Sequence, residues 1–337
     1  RLYLIMAPDP PRLVAAPPML AHREQFMEDG FIIVEQLITP ALCASLNARL
    51  EALLRGEYDV SGGRPDKAPK LLEQRCKPGK SPPPLGGPSK TTLQLINVWK
   101  ADRLFRALVT SADLSRAVAT LGGWAAGARV ANDQVWAKPP GAAALTFHRD
   151  SAYFDFVPAD VITVWIALDD MAAELGPLEY VRGSHRWAQG RVGSASQFFD
   201  SKDRHALLYD AARREGIAEP EKALEVVQVA VRAGGCGIHN GRLWHGSDRN
   251  ASTSRPRRGL GIHFVPGDAE FREPHGNTLA HRLQQNFLGN SVAQRKLVDE
   301  LFPITYSSLP RETDSPLEDT SNDTVSSGRT LDNMLNS

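Results

Sequence analysis

The chain has 337 residues, of which 42% are hydrophobic and 23% charged, and its 39 basic residues balance 39 acidic ones. This composition is typical of a globular protein, and a net charge of zero argues against a nucleic-acid-binding surface. No apolar run approaches the roughly 20 residues that a membrane-spanning helix needs. We therefore expect a small-molecule partner, with no nucleic acid and no membrane.

The three cysteines, Cys43, Cys76 and Cys236, lie far apart in the sequence. Their spacing excludes a disulfide scaffold and a thiolate zinc site of the usual CxxC type. The N-terminal stretch is rich in proline and has no apolar core typical of a secretory signal. We expect a cytoplasmic protein that is a monomer or a weak homo-oligomer.

The two ends differ in composition from the middle of the chain. Residues 1–20 are rich in proline, and residues 307–337 consist largely of Ser, Thr, Asp, Asn and Pro. Such segments bury too little apolar surface to offset the entropy lost on ordering. The sequence predicts a flexible N-terminal segment over 1–20, a single domain over 21–306 and a disordered tail over 307–337.

Helical signals dominate the first third of this domain. A helix ends at Gly30, and a β-rich run over residues 31–34 follows. Thr39 and Pro40 supply an N-cap and a first-turn proline, which mark the start of a second helix. Apolar residues then recur every four positions and predict an amphipathic helix with one core-facing stripe; they are Leu42, Leu46, Leu50 and Leu54. A further short helix ends at Gly122 and Gly123.

Two segments interrupt the regular pattern. Residues 57–90 are rich in Pro, Gly and Lys, and a connection of this length is typical of a lid or binding loop. A disordered insertion explains the same composition equally well, so both interpretations stay open. The second segment, at about residues 187–216, is predicted to be a helical insertion.

The pattern in the later part of the chain indicates many short strands. Its β-branched or alternating runs are separated by Pro, Gly, Asp or Asn. These runs are residues 128–137, 143–149, 161–168, 178–182, 225–231, 236–239, 242–245 and 257–265. The pattern predicts a mainly β fold with flanking helices, and a jelly roll accommodates it.

A histidine and an aspartate stand two residues apart in one of these runs. In an extended strand, positions i and i+2 point to the same side, so the side chains of His148 and Asp150 are expected to converge. One further imidazole would complete a facial triad for non-haem Fe(II), with three coordination positions left open.

The candidate for the third ligand is His245, almost a hundred residues downstream. Ser247 adds a hydroxyl nearby. Arg257 begins a strand whose next same-side positions are Gly259 and Gly261, which leave volume beside its guanidinium. A planar guanidinium in a cavity is suited to binding a carboxylate.

Five ordered motifs resemble the phytanoyl-CoA dioxygenase family of Fe(II)/2-oxoglutarate-dependent oxygenases. They are FHRDSAYF (147–154), VITVWIALDD (161–170), LGPLEYVRGSHRW (175–187), WHGSDRN (244–250) and RRGLGIHF (257–264). The resemblance covers about residues 22–290. It implies a double-stranded β-helix, which is a cupin-like jelly roll.

The resemblance also implies a role for each candidate residue. His148, Asp150 and His245 would be the iron ligands. Arg257, helped by Ser247, would pair with the distal carboxylate of 2-oxoglutarate.

The neighbouring Arg258 points to the opposite face of the strand and is the rival to Arg257 for the cosubstrate. We prefer Arg257, because the histidine six residues after it matches the family pattern. Gln134 and Trp165 fall where the family lines the cosubstrate cavity. Gln94 stands where some members carry a lysine, and this departure leaves the second basic contact open.

The implied activity is that of a 2-oxoglutarate-dependent dioxygenase, an oxidoreductase that hydroxylates or otherwise oxidises a C–H bond of a small organic metabolite. Decarboxylation of 2-oxoglutarate to succinate and CO2 accompanies that oxidation. Asp150 argues against halogenation, since related halogenases carry a small residue there. Two alternatives are a non-catalytic jelly-roll binding module and a cupin-type metalloenzyme that does not use 2-oxoglutarate. His239 and His263 are expected in the core or pocket, not as ligands.

Overall fold

The computed structural model describes residues 19–68, 92–188, 203–273, 278–289 and 294–307. Within these ranges the strands are β1 Phe31–Val34, β2 Leu93–Ile96, β3 Ala128–Lys138, β4 Leu145–His148, β5 Phe156–Val157, β6 Ile162–Ala167, β7 Leu178–Val181, β8 Val226–Gln228, β9 Cys236–Asn240, β10 His245–Ser247, β11 Arg257–Pro266, β12 Glu270–Phe271 and β13 Ile304–Tyr306. The α-helices are α1 Arg23–Asp29, α2 Pro40–Leu54, α3 Arg103–Val109, α4 Ala112–Gly122, α5 Ala206–Arg214, α6 Pro220–Ala223 and α7 Leu279–Leu288. No helix among them is long and apolar enough to cross a membrane.

Two antiparallel sheets form the body of the fold. The larger sheet has the order β1-β9-β6-β11-β3-β13, with β2 also paired to β3, and the smaller has the order β4-β10-β7-β8. Phe31 and Trp165 of the larger sheet pack against Leu178 and Tyr180 of the smaller one. This arrangement confirms the predicted mainly β jelly roll with flanking helices.

Alternation along the central strands separates the two sides of the larger sheet. Val164 and Ile166 of β6 join the apolar cluster beneath the helices, whereas Trp165 and Ala167 face the smaller sheet. The same alternation continues on β11, where Leu260 lies on the helical side. Because successive strand residues point to opposite faces, the pocket residues and the helix-facing core come from the same strands.

Helix α2 forms where the leucine spacing predicts it. Thr39 is the N-cap, and its hydroxyl accepts a hydrogen bond from the Leu42 backbone N–H at 3.2 Å. Leu46, Leu50 and Leu53 are fully buried in the cluster that includes the helix-facing side of the larger sheet. The amphipathic stripe therefore covers this side of the sheet.

Several boundaries differ from the sequence prediction. The strand predicted over 242–245 is wrong: β10 starts only at His245, because residues 241–244 follow a turn in which the Asn240 carboxamide accepts from the Arg242 backbone N–H. The short strands β5, β12 and β13 and helix α7 have no counterpart in the prediction. Helix α5 lies within the predicted helical insertion, and its Leu208 packs with Trp244 behind the smaller sheet.

Parts of the predicted segments lie outside the described residues. These are residues 1–18, the stretch 69–91 that holds most of the predicted lid, residues 189–202, and residues 308–337. Cys76 also falls there, whereas Cys43 and Cys236 are buried and free. The division into one domain with two loose ends stays a prediction.

A buried carboxylate fixes β3 to the helical side of the sheet. Asp133 accepts hydrogen bonds from the backbone N–H groups of Val98 at 3.1 Å and Trp99 at 3.3 Å. Asn97 lies in the left-handed region at φ 58° and accepts from the Asp133 N–H. Burial raises the pKa of Asp133 to about 7, and the two N–H donors offset only part of that shift.

We expect Asp133→Asn to remove a pH-dependent part of the stability. The folded protein holds a proton on Asp133 that the unfolded chain releases above its ordinary pKa of 3.8. The free energy of unfolding of the native protein relative to Asp133→Asn should therefore fall between about pH 4 and pH 7 and then level off, by a few kcal/mol at most. Denaturant unfolding at five pH values measures this. A difference that is flat or rises with pH would contradict the assignment.

Candidate metal centre

Two paired strands bring the predicted histidines together. In the antiparallel β4–β10 pair, His148 lies directly opposite His245, and their ring centroids are 4.2 Å apart. The strand that carries His148 ends at that residue, so Asp150 does not lie on it as predicted but opens a 3-10 turn. Arg149 nevertheless remains extended, at φ −124° and ψ 133°, and this keeps both side chains on one side.

The three side chains form a compact donor set. Asp150 Oδ1 lies 3.7 Å from His148 Nε2 and 3.5 Å from His245 Nε2. One donor atom from each residue falls within 4.8 Å of the others, and no further cluster of this kind occurs in the described part of the chain. Two imidazoles and one carboxylate on one side of a cavity are the donor set of non-haem Fe(II) sites.

Backbone carbonyl groups orient both imidazoles. His148 Nδ1 donates to the Thr146 carbonyl at 2.8 Å, and His245 Nδ1 donates to the Leu243 carbonyl at 3.0 Å. With Nδ1 occupied as a donor, Nε2 of each ring faces Asp150. Burial, reinforced by the neighbouring His245, lowers the pKa of His148 to about 3, which keeps its ring neutral with a lone pair on Nε2.

The second oxygen of Asp150 is held by a chain of donors. Oδ2 accepts from His239 Nε2 at 3.0 Å and from the Thr163 hydroxyl at 2.7 Å. His239 Nδ1 in turn accepts from the Tyr180 hydroxyl at 2.9 Å. Because the Thr163 hydrogen is directed at the carboxylate, the 2.9 Å contact from His263 Nδ1 to Thr163 makes His263 Nδ1 the donor. Oδ1 is thereby left to face the two ligand imidazoles.

These donors keep a buried carboxylate charged. Burial opposes ionisation of Asp150, but His245 and His263 outweigh it, together with the hydrogen bond from His239. They hold the pKa of Asp150 well below its ordinary value. Burial, followed by the charge of His245, lowers the pKa of His239 to about 4, so His239 acts as a neutral N–H donor.

The triad opens onto a cavity of about 700 Å³ between the sheets. Arg257 is only 2% exposed, and its guanidinium carbon lies 4.8 Å from the centroid of the Trp165 ring. Its Nε and Nη2 atoms are buried without a hydrogen-bond partner. Gly259 makes the stacking possible, because a Cβ there would lie 2.4 Å from the Trp165 ring. Burial lowers the pKa of Arg257 to about 10, which leaves it cationic at neutral pH.

The rival arginine is engaged elsewhere. Arg258 makes a two-point ion pair with Asp169, at 2.9 Å from Nε to Oδ2 and 2.6 Å from Nη2 to Oδ1. It lies on the opposite face of β11 from Arg257, as strand alternation predicts. Of the two, only Arg257 lines the cavity.

Lys138 is a cavity residue that sequence reasoning missed. It lies directly opposite Arg257 in the β3–β11 pair and is 1% exposed. Its Nζ donates at 2.7 Å both to the Ser247 hydroxyl and to the Asp248 carbonyl. Burial and the charge of Arg257 lower its pKa well below the ordinary value. The signal available in the sequence was its position four residues after Gln134, on the same strand face.

Gln94 and Gln134 face the cavity together. The Gln94 amide donates to Gln134 Oε1 at 2.8 Å, and Lys67 Nζ donates to Gln94 Oε1 at 2.7 Å. Lys67 comes from the segment predicted as a lid and bridges to Ile96 on β2. A lysine thus reaches the position of Gln94 from a different part of the chain, which sequence reasoning did not foresee. His239 and His263 line the cavity and are not part of the donor cluster, as expected.

These features define an iron- and 2-oxoglutarate-dependent oxygenase. The family model described as "Phytanoyl-CoA dioxygenase (PhyH)" matches residues 26–259, well over half of the chain. The chain belongs to this family of dioxygenases, which act on small molecules with Fe and 2-oxoglutarate as cofactors. The identification made from the five sequence motifs is confirmed.

Two relatives share parts of the sequence. A protein of Stutzerimonas stutzeri described as "Probable alpha-ketoglutarate-dependent hypophosphite dioxygenase" is 28% identical over 144 residues, which are 42% of this chain and 46% of that protein. The match thus spans less than half of that relative. "Multifunctional dioxygenase prhA" of Penicillium brasilianum is 23% identical over 270 residues, which are 76% of each protein.

Two crystal structures from nogalamycin biosynthesis share the fold. The non-haem alpha-ketoglutarate-dependent epimerase SnoN superimposes with a TM-score of 0.60 at 20% identity, over 85% of this chain and 98% of SnoN. The carbocyclase SnoK gives a TM-score of 0.59 at 21% identity, over 87% of this chain and 98% of SnoK. At these identities the likeness concerns the fold.

We expect His239→Phe to weaken metal binding. The substitution removes the N–H that holds Asp150 Oδ2, and loss of such outer partners typically costs about 10- to 100-fold in metal affinity. Competition between the protein and a chelating dye for Mn(II) measures the effect. His281→Phe is the matched control, because His281 is also buried but does not line the cavity. Equal Mn(II) affinity in both variants would contradict the positioning role of His239.

Proposed function

We propose that this protein is a hydroxylase: it oxidises an unactivated C–H bond of a small organic metabolite and couples that step to conversion of 2-oxoglutarate into succinate and CO2. His148, Asp150 and His245 hold the iron, and Arg257 binds the distal carboxylate of the cosubstrate. The observation that carries the proposal is a complete His-Asp-His donor set in one cavity with a buried, unpartnered guanidinium.

The donor set fits a ferrous ion. Two imidazoles, which are neutral when they bind a metal, and one carboxylate would balance part of the metal charge, and their placement on one side leaves the cavity side open. With 2-oxoglutarate and dioxygen bound, the iron supplies the oxidising power for C–H cleavage. The carboxylate at position 150 occupies the place that a halide would need, which favours hydroxylation over halogenation.

The cationic end of the cavity fits the cosubstrate. Arg257 presents two buried donors with no partner in the described residues, and Lys138 lies directly opposite on β3. A carboxylate placed there would satisfy both donors and relieve the cost of burying these groups. Ser247, which accepts from Lys138, and Trp165, which stacks on Arg257, orient the two basic side chains. Gln134 and Gln94 line the wall beside them.

The remaining residues exclude water and position the substrate. Trp136, Tyr153 and Phe154 line the cavity and supply an apolar wall beside the metal site. Lys67 lines the cavity beside Gln94. The buried free cysteines are compatible with a cytoplasmic protein, and a monomer or weak homo-oligomer stays our expectation.

Succinate release is the direct test of this function. Purified protein with 2-oxoglutarate, Fe(II) and ascorbate should release succinate slowly without substrate, since a ferrous site of this type turns over cosubstrate alone, and a chelator should stop the release. His148→Ala should abolish both Fe(II) binding and succinate formation, because only two donors remain. Absence of succinate release, both without substrate and across a broad panel of candidate substrates, would fit the non-catalytic metal- or ligand-binding module. Zinc or nickel retained without any 2-oxoglutarate effect would fit a cupin-type metalloenzyme that does not use 2-oxoglutarate.

Removal of Arg257 should weaken 2-oxoglutarate binding selectively. Truncating one partner of a buried ion pair costs several kcal/mol, so Arg257→Gln should raise the dissociation constant roughly 100-fold. The affinity for 2-oxopentanoate, which has no distal carboxylate, should change little. Calorimetric titration of the Mn(II)-loaded protein measures both constants.

Arg258→Gln is the control for this experiment. Its guanidinium pairs with Asp169 away from the cavity, so the variant should bind 2-oxoglutarate as the native protein does. A large loss of 2-oxoglutarate affinity in Arg258→Gln, with little loss in Arg257→Gln, would reverse the assignment.

A further inference from the structure

A row of polar residues crosses the floor of the cavity beside Asp150. His239, Thr163, His263 and Asn132 lie directly opposite one another on β9, β6, β11 and β3. His239 and Thr163 donate their hydrogen bonds to Asp150. The other two, His263 and Asn132, have polar atoms that neither the metal site nor the cosubstrate end employs.

The hydrogen-bond directions make His263 an acceptor toward the cavity. Its Nδ1 donates to Thr163, whose own hydrogen goes to Asp150. In the tautomer that this geometry selects, the hydrogen is on Nδ1 and the lone pair is on Nε2, which has no hydrogen-bond partner among the described residues. This atom lies over Gly261, 3.9 Å from the point where a Cβ would stand, so the space in front of it is open.

Asn132 presents a second acceptor in the same place. Its side chain lines the cavity and is 8% exposed, and its Oδ1 is buried without a hydrogen-bond partner. Cross-strand neighbours have Cβ atoms about 5 Å apart, so one ligand atom can reach both Asn132 and His263. The register shifts by one residue immediately after this pair, where Ala131 is extra on β3. Bulges at such positions re-aim side chains next to active sites.

The position of this pair relates it to the substrate and not to 2-oxoglutarate. Two acceptors repel a carboxylate, and the basic pair of Arg257 and Lys138 lies toward the other end of the same two strands. His263 is separated from the metal-facing carboxylate only by the Thr163 hydroxyl, with 3.6 Å between its Nδ1 and Asp150 Oδ2. Phe154 covers the imidazole, with ring centroids 5.2 Å apart.

We propose that Asn132 Oδ1 and His263 Nε2 form a substrate subsite that accepts hydrogen bonds from a hydroxyl or amine group next to the carbon that reacts. The inference rests on the proposed function, and it narrows the substrate class to alcohols and amines with an apolar portion that packs on Phe154. A hydrocarbon or ether would leave the buried Asn132 Oδ1 without a hydrogen bond. Sites built to hydrogen-bond a ligand discriminate strongly against analogues that cannot form the bond.

A matched pair of probes tests this subsite. Benzyl alcohol and benzyl methyl ether share an aromatic ring, but only the alcohol can donate. Protein loaded with Mn(II) and 2-oxoglutarate broadens the NMR lines of any probe near the metal, and titration of that broadening yields both dissociation constants. We expect the alcohol to bind about tenfold more tightly than the ether.

Variants assign the preference to the two acceptors. Asn132→Leu should reduce the alcohol-to-ether ratio at least threefold, whereas Asn132→Asp, which keeps an acceptor of the same shape, should retain it. Trp136→Phe is the control: it alters the same cavity without touching an acceptor, so the ratio should stay unchanged even if both probes bind more weakly. If Asn132→Leu does not fold, Asn132→Asp still tests the subsite: because it keeps an acceptor, loss of the alcohol preference in this variant would contradict the proposal.

Three outcomes would overturn the subsite. The first is equal binding of alcohol and ether by the native protein. The second is that neither probe is broadened, as expected if ordered water alone fills the position. The third is an unchanged alcohol-to-ether ratio in Asn132→Leu. Binding of Mn(II) and 2-oxoglutarate is measured first in the same samples. Loss of that binding would contradict the proposed function, whereas normal binding without an alcohol preference would contradict the subsite alone.

Discussion

One buried charge, the carboxylate of Asp150, organises the centre of this protein. Removing a carboxylate from water is costly unless each oxygen has partners. Here Oδ2 accepts hydrogen bonds from His239 and Thr163, while Oδ1 faces the imidazoles of His148 and His245. The division between the two oxygens leaves one of them directed at the position where three donors meet. The same hydrogen bonds that make the charge tolerable in the interior thus also orient it for a metal.

The β3–β11 register distributes polarity along the cavity. Lys138 and Arg257 meet at one end, and Asn132 and His263 meet at the other. Glycines on β11 leave the floor between them open, so the indole of Trp165 and a ligand can both be accommodated. A slip of one residue would turn every one of these side chains toward the helices. The alternate residue Asp133 opposes such a slip, because its carboxylate is bound to the helical side.

Two proteins with this fold illustrate that the fold alone does not determine the reaction. SnoN is described as an epimerase and SnoK as a carbocyclase, yet both share this architecture. A shared fold therefore does not determine the reaction, which depends on the groups of the individual site. In this chain, β3, β11 and the 3-10 turn that holds Tyr153 line the cavity away from Arg257. The subsite that we propose at Asn132 and His263 lies at this end of the cavity.

The sequence by itself determined the jelly roll, the family and the side chains that meet at the centre, because each depends on short motifs: strand alternation, the spacing of His148 and Asp150, and the glycines after Arg257. Only the tertiary structure revealed Lys138 beside Arg257, Lys67 beside Gln94, and the donors around Asp150. Those contacts join residues that are far apart in the sequence, and Lys138 is 109 positions from the Ser247 that it binds. Cross-strand register sets which residues become neighbours, and register is a property of the packed sheets that no local pattern encodes.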